Sequence, residues 1–333
     1  MTSTVVIGGF FGDEGKGKII SYLALHDKPS IVVRGGAGPN AGHTIKDGDK
    51  VYKVRMLPSG FLNKNARVMV GPGVVVNPDV LLKEIDDFNV NGRAYVDNNC
   101  GIIEQSHRDA DSKGQLKEKI GSTGSGTGPA NAERAMRTLK LAKEIDNLTQ
   151  YLIDVPLEIN SALDRGENVL IEGTQGTHLS LWHGTYPFVT TKDVTASGIC
   201  ADVGVGPKRV NEVIVVFKSY LTRVGTGPMP GELDASETSK KGWEEFGTVT
   251  GRLRRAAEFD FDLARRAVML SSATQISITK LDVRFPNCAG VTSYNELDDD
   301  ARAFIKNIET QLGVTVTLIG TGPHVDDVID LRT

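Results

Sequence analysis

Seven apolar, largely β-branched runs recur along the chain: Val5-Val6-Ile7, Ile31-Val32-Val33, Val68-Met69-Val70, Val169-Leu170-Ile171, Val213-Ile214-Val215-Val216-Phe217, Ile276-Ser277-Ile278 and Val314-Thr315-Val316-Thr317-Leu318-Ile319. They are continuous rather than alternating, which predicts strands buried on both faces, as in a parallel sheet. Segments of helical character lie between them: Lys18 to Leu25, Asn131 to Ile145, Tyr151 to Leu163, Leu263 to Leu270 and Asp298 to Leu312. Alternation of the two predicts the α/β class, with a mainly parallel central β-sheet flanked by helices. No internal repeat or low-complexity linker interrupts the pattern, so a single large domain over residues 1–333 is expected. Ligands of such sheets sit beyond the carboxyl ends of the strands. Glycine clusters stand there: Gly8 after the first run, Gly35-Gly36 after the second, Gly71-Pro72-Gly73 after the third and Gly173 after the fourth.

Composition narrows the function classes. A formal charge of −4 lacks the basic excess of a nucleic-acid binder. No stretch approaches the ~18 consecutive apolar residues of a membrane span, and no basic-then-apolar leader is visible. Cys100, Cys200 and Cys288 have no metal-type spacing and read as buried thiols of a reduced, cytoplasmic protein. The 37 glycines are clustered, which indicates tight turns rather than disorder.

The first cluster, Gly8-Gly9-Phe10-Phe11-Gly12-Asp13-Glu14-Gly15-Lys16-Gly17-Lys18, joins a strand to a helix start. Free backbone N–H groups and the helix dipole there favour a phosphate. The loop is P-loop-like but not Walker A, because Gly9 is one residue too far from Gly15-Lys16 and Gly17 has no hydroxyl for a metal ion. It carries an acid, Asp13, inside the turn. A second cluster, Asn40-Ala41-Gly42-His43-Thr44, presents His43 on a glycine-rich loop after a strand, a position suited to acid catalysis. Glycines alternate with hydroxyls in Gly121-Ser122-Thr123-Gly124-Ser125-Gly126-Thr127-Gly128, a nest of donors for phosphate. Arg134 and Arg137 follow it. Glu172-Gly173-Thr174-Gln175-Gly176 and the segment to Thr190 supply amides and hydroxyls. Thr250-Gly251-Arg252-Leu253-Arg254 offers guanidinium groups that grip carboxylates bidentately. Thr279-Lys280-Leu281-Asp282, after a strand, could read guanine through the carboxylate, although the four residues alone are a weak match and read first as a surface ion pair. Gly320-Thr321-Gly322-Pro323 is a turn able to close over a base.

In order and over Gly8 to Pro323, these clusters resemble the adenylosuccinate synthetase family in its compact, archaeal form. The resemblance rests on Gly-Asp-Glu-Gly-Lys-Gly-Lys (12–18), Asn-Ala-Gly-His-Thr (40–44), Glu-Gly-Thr-Gln-Gly-Thr (172–177), His-Gly-Thr-Tyr-Pro (183–187), Thr-Arg-Val-Gly (222–225), Thr-Gly-Arg (250–252) and Thr-Lys-Leu-Asp (279–282). It implies GTP-dependent joining of IMP and L-aspartate through a 6-phosphoryl intermediate. Asp13 is then the base at N1 of IMP, with His43, Lys16 and Gln175 the other catalytic groups. Asn40, Thr123, Gln175, Thr190 and Val224 would hold IMP, joined by Arg137 from the neighbouring subunit of a homodimer. Thr250, Arg252 and Arg254 would take L-aspartate. Gly12, Gly15, Lys16, Gly17, Gly42, Thr44, Lys280, Asp282, Thr321 and Gly322 would bind GTP, and Asp13 with the Gly42 carbonyl would hold Mg²⁺. Three places depart from the family pattern: Phe10-Phe11 where Gln-Trp is common, Leu253 within the arginine run, and Gly320 where serine is frequent.

Three other activities are compatible with parts of the pattern. A phage branch of the same family uses dGMP and commonly lacks the loop aspartate, so Asp13 favours IMP. A GTP-binding switch would have no use for aspartate-binding arginines, and a plain small-molecule kinase would phosphorylate IMP and release the product without aspartate.

Overall fold

The computed structural model describes residues 2–113, 119–247, 251 and 253–332. Its centre is a ten-stranded sheet assembled from β1 (Ser3–Gly8), β2 (Ile31–Arg34), β5 (Arg67–Val70), β7 (Ala94–Asp97), β9 (Leu152–Ile153), β10 (Val169–Glu172), β11 (Glu212–Lys218), β14 (Gln275–Thr279), β15 (Val316–Gly320) and β16 (Val328–Asp330). The spatial order is β16-β15-β14-β11-β1-β10-β2-β5-β7-β9. Every neighbouring pair is parallel except β15 with β16. Three two-stranded elements lie outside it: the hairpin of β3 (His43–Asp47) and β4 (Lys50–Val54), β6 (Val75–Val76) with β8 (Gly101–Ile102), and β12 (Leu221–Arg223) with β13 (Arg255–Ala257).

The uninterrupted apolar runs have a direct cause. Successive side chains point to opposite faces, and both faces are covered. Val5 and Ile7 join a core with Ile159, Ile199, Ala264 and Ile305, whereas Val6 joins another with Ile19, Ile20 and Leu23. Each fully buried Val, Ile or Leu contributes roughly 1.5–3 kcal/mol. The helices are α1 (Lys16–His26), α2 (Pro78–Asp87), α3 (Gln105–Lys113), α4 (Thr127–Met136), α5 (Val155–Asp164), α6 (Ala196–Val203), α7 (Ala235–Lys240), α8 (Phe261–Ser271), α9 (Leu281–Arg284) and α10 (Asp299–Leu312).

All seven apolar runs contribute strands to the large sheet. Two helical expectations differ from what forms. The helix expected to run from Asn131 to Ile145 ends at Met136, because Arg137 adopts a left-handed φ of 67°. The chain then runs back along β8: Ile102 N donates to Lys140 O at 2.9 Å, and Leu139 is buried with Val75, Ile103 and Ala130. Tertiary pairing overrides helix propensity there. The segment from Tyr151 begins as strand β9, paired with β7, before the Asp154 side chain caps α5 by accepting from Leu157 N at 2.9 Å.

Candidate active site

A cavity of about 240 Å³ opens beyond the carboxyl ends of the central strands. Gly12 and Asp13 reach it from the loop after β1, Asn40, Gly42 and His43 from the segment after β2, and Gln175 from the loop after β10. Thr123, Thr190, Val224 and Arg254 complete the expected set on its wall. Ten positions singled out from sequence thus meet in one place although they span more than two hundred residues of chain.

The first loop is held from inside. Glu14 is 1% exposed, and its carboxylate accepts from Phe10 N at 2.9 Å and Gly12 N at 2.8 Å. Lys16 Nζ pairs with the same group at 2.9 Å. Burial alone would raise the Glu14 pKa, but Lys16 and the N–H donors hold it below the ordinary value. Lys16 is therefore buried and occupied, and reaching a phosphate oxygen would mean sharing its ammonium with Glu14. Gly15 precedes α1 with φ of 78°, so the turn into the helix suits glycine. A Cβ on Gly17 would lie 2.7 Å from Cβ of His43. The bare second position of α1 is what lets the imidazole pack against the helix.

His43 is 7% exposed. Its Nδ1 lies 2.6 Å from Glu172 Oε1 and 3.0 Å from Ser59 Oγ. A carboxylate can only accept, so Nδ1 carries the proton and Nε2 is left for a ligand. Burial pushes His43 down from its usual pKa, while Glu172 pulls it back up. Glu172 itself is fully buried, and Ser59 N donates to it at 2.6 Å. The arrangement is a carboxylate–imidazole pair in which Glu172 fixes the tautomer and ring orientation.

Asp13 faces the other wall. Its Oδ1 is 3.1 Å from Arg254 Nη2, and Thr222 Oγ1 approaches Oδ2 at 3.5 Å. Burial raises the Asp13 pKa, against the opposing pull of Arg254 and Lys218. Arg254 also bonds to Glu245, as do Tyr220 and Lys218, the last at 2.9 Å. Lys280 Nζ lies 3.9 Å from Glu245. Burial would raise Glu245, but Lys218, Lys280 and Arg254 bring it down to about 2.

Two wall amides have spare valences. Gln175, in a left-handed conformation (φ 53°), accepts from Thr174 Oγ1 at 2.5 Å, and its buried Nε2 has no partner. Asn40 Nδ2 reaches Thr190 Oγ1 at 3.4 Å while Oδ1 is unpartnered. Buried polar atoms without partners are uncommon and mark places where a ligand completes the bonding. Thr123 Oγ1 donates to Ser125 Oγ at 3.0 Å, and the loop is pinned where Ser122 Oγ and Gly126 N donate to buried Asp111 at 2.5 and 2.9 Å.

A second group of expected residues lies on the β14 and β15 side. Lys280 has φ of 60° immediately before α9, and Asp282 is half-buried with Oδ1 unpartnered. Thr321 is fully buried, its hydroxyl donating to Val291 O at 2.8 Å, and Gly322 follows in the turn. Thr44 is exposed on β3. Arg137 is exposed and does not line its own chain's cavity. Thr250 and Arg252 lie outside the described residues.

Sequence reasoning passed over Glu14, Glu172, Glu245 and Lys218. Only Glu172 left a usable signal, a carboxylate ending an apolar strand. Two carboxylates line the cavity, and Asp111 already accepts from Ser122 and Gly126, so Asp13 and the main chain at Gly42 are the donors left for Mg²⁺. Such hard oxygen donors suit an ion that takes its other ligands from substrate phosphates and water.

The adenylosuccinate synthetase family model matches residues 5–143 and 137–287. The adenylosuccinate synthetase of Methanocaldococcus jannaschii is 57% identical over 336 residues, covering 100% of this chain and 97% of its own. That of Methanococcus aeolicus is 54% identical with 100% of both chains covered. Among solved structures, fully ligated adenylosuccinate synthetase from Plasmodium falciparum superposes with a TM-score of 0.90 at 28% identity over 99% of each chain. Cyanophage S-2L succinoaminodeoxyadenylate synthetase, bound to dGMP and to dATP as energy donor, gives 0.84 at 26% identity, covering 100% of this chain and 96% of its own. The full-length identities, the matched family model and the shared fold establish that the chain belongs to the adenylosuccinate synthetase family.

Proposed function

We propose that this chain joins IMP to L-aspartate at the expense of GTP, releasing GDP and phosphate. The observation that carries the residue roles is that two ionisable pairs reach one cavity, half-buried Asp13 with Arg254 and buried His43 with Glu172. In this reading Asp13 removes the N1 proton of IMP, and the resulting O6 attacks the γ-phosphorus of GTP while the bond to the β-phosphate oxygen breaks. The aspartate amine then attacks C6, loses a proton, and phosphate leaves. The step makes chemical sense because a 6-oxo group is a poor leaving group and phosphate a good one.

His43 Nε2 is available to bond the phosphoryl group in transfer, and an imidazolium there is supported by Glu172. The unpartnered Gln175 Nε2 and Asn40 Oδ1 supply a donor and an acceptor for the hypoxanthine and ribose. Thr123, Thr190 and Val224 line the IMP site. Arg254, with Thr250 and Arg252, takes the aspartate carboxylates, and Lys280, Asp282, Thr321 and Gly322 take the base of GTP. Gly12, Gly15, Lys16, Gly17, Gly42 and Thr44 surround its phosphates. Mg²⁺, held by Asp13 and the Gly42 carbonyl, would neutralise phosphate charge. Arg137 is exposed and does not line its own chain's cavity, which fits a role on the IMP phosphate of a partner subunit. No described helix is long and apolar enough to cross a membrane, and we place the reaction in the cytoplasm.

Incubating the purified protein with IMP, aspartate and GTP-Mg²⁺ tests the reading. A succinyl-purine nucleotide should appear by mass, with GDP release dependent on both IMP and aspartate. Turnover with dGMP but not IMP would overturn the substrate assignment, and GTP hydrolysis indifferent to both co-substrates would overturn the ligase.

A further inference from the structure

Lys18 is a buried cation that none of the roles above uses. It is 9% exposed, and its Nζ donates at 2.6 Å to the carbonyls of both Gly322 and Asp327. An ammonium has three N–H groups, and the third finds no acceptor among the described residues. Burial pulls Lys18 down to about 8, with Asp327 and Asp282 opposing the shift. Its position is defined by Gly320: a Cβ built there would lie 3.2 Å from Nζ. The amine therefore packs tightly against the position that a side chain at 320 would take in the turn from Gly320 to Pro323. Facing that turn, on the segment after β14, Asp282 is half-buried with Oδ1 unpartnered.

One spare charged donor and one spare charged acceptor thus stand beside the two segments assigned to the base, close enough for each charge to influence the other. The guanine edge has the matching pattern, with acceptor O6 beside the donors N1–H and the 2-amino group. With Asp282 reading N1–H and the 2-amino group in the assignment above, we propose that Lys18 donates its third N–H to O6 of the nucleoside triphosphate and so selects 6-oxo over 6-amino purines. This rests on the GTP reading above. A 6-amino purine would turn a donor toward the ammonium and leave the buried amine unpaired, the kind of mismatch that discriminates most strongly.

The test compares kcat/KM for GTP, ITP and 2,6-diaminopurine riboside triphosphate in the wild type, Lys18→Met and Lys18→Met/Gly320→Ser. Ratios between nucleotides within one variant do not depend on how much of it folds. Loss of one charged hydrogen bond should lower GTP and ITP by about 10- to 100-fold in Lys18→Met, with the diaminopurine nucleotide lowered much less. The serine hydroxyl should restore part of the GTP preference. Gly320→Ala is the second probe, since its Cβ crowds the ammonium and should narrow the same ratio. An equal loss for all three nucleotides, or an unchanged ratio, would show that Lys18 merely anchors the turn and overturns the proposal. A wild-type enzyme that uses ATP as well as GTP would instead defeat the GTP reading itself, before any variant is compared.

Discussion

In the proposed reaction, Arg254 decides how strong a base Asp13 is. Burial raises the Asp13 pKa and Arg254 is the largest opposing influence. A base works only while ionised, so activity is lost as pH falls through the raised value. Removing the guanidinium in Arg254→Met should raise it further and move the acid limb of the kcat profile to higher pH. An unmoved limb would separate Arg254 from the base. For His43 the sign is opposite: Glu172 raises its pKa against burial, so Glu172→Gln should lower it further, as read by a proton NMR titration of the ring. Asp13→Ala and His43→Ala should each reduce kcat by ~10²–10⁴ with the far-UV CD spectrum unchanged. Near-wild-type turnover in either would remove that residue from the mechanism. At this scale the sequence announced groups sitting on glycine-rich loops after strands, such as Asp13, His43 and Gln175. It concealed Glu14, Glu172 and Glu245, whose roles arise only from partners brought in by the fold: Glu172 is meaningful through His43 and Ser59, more than a hundred positions away.

Elements transmit these demands through close approach. Gly17 on α1 and His43 on β3 leave 2.7 Å for a Cβ. Gly17→Ala must separate helix from hairpin, and a displacement near 1 Å at a reacting group can cost ~10²-fold. We expect kcat to fall with a smaller change in KM for IMP; an unchanged kcat would mean that His43 tolerates the shift. The segment carrying Glu245 is tied to β11 through Lys218 and to β12 through Tyr220, which stands just before it. Glu245, at about 2 when folded against 4.5 otherwise, contributes stability that is complete above the higher value and lost as pH falls toward the lower. Glu245→Gln should therefore flatten the acid side of a melting-temperature profile between those limits. Strand identities were readable because two covered faces force unbroken apolar runs. The edge strand β9 is only two residues long, and β16 and the β3–β4 hairpin carry mixed residues, so none of them gave such a signal. The helix after the Ser/Gly loop was over-extended because Arg137 leaves helical space to let the chain pair with β8, a cue that no local propensity contains.

For the whole molecule, the position of Arg137 makes complementation the decisive measurement. If the chain pairs as proposed, with Arg137 serving the partner's site, mixing Asp13→Ala with Arg137→Leu subunits gives dimers in which one of the two sites has both groups, and activity at low IMP should rise above that of either variant alone. No recovery after subunit exchange would place Arg137 outside the partner's site. The strand order carries a different consequence. β1 is made early, yet its two neighbours are β10 and β11, at residues 169–172 and 212–218. While the ribosome is still translating the first 160 residues, β2, β5 and β7 can already align, but the central strand has nothing to pair with. The phosphate loop that β1 carries thus waits, tethered but unframed, until a distant stretch of chain emerges. Nascent chains arrested before residue 169 should leave Val5 to Ile7 open to protease, and those released past 218 should protect them, making the catalytic centre one of the last parts of the protein to be born.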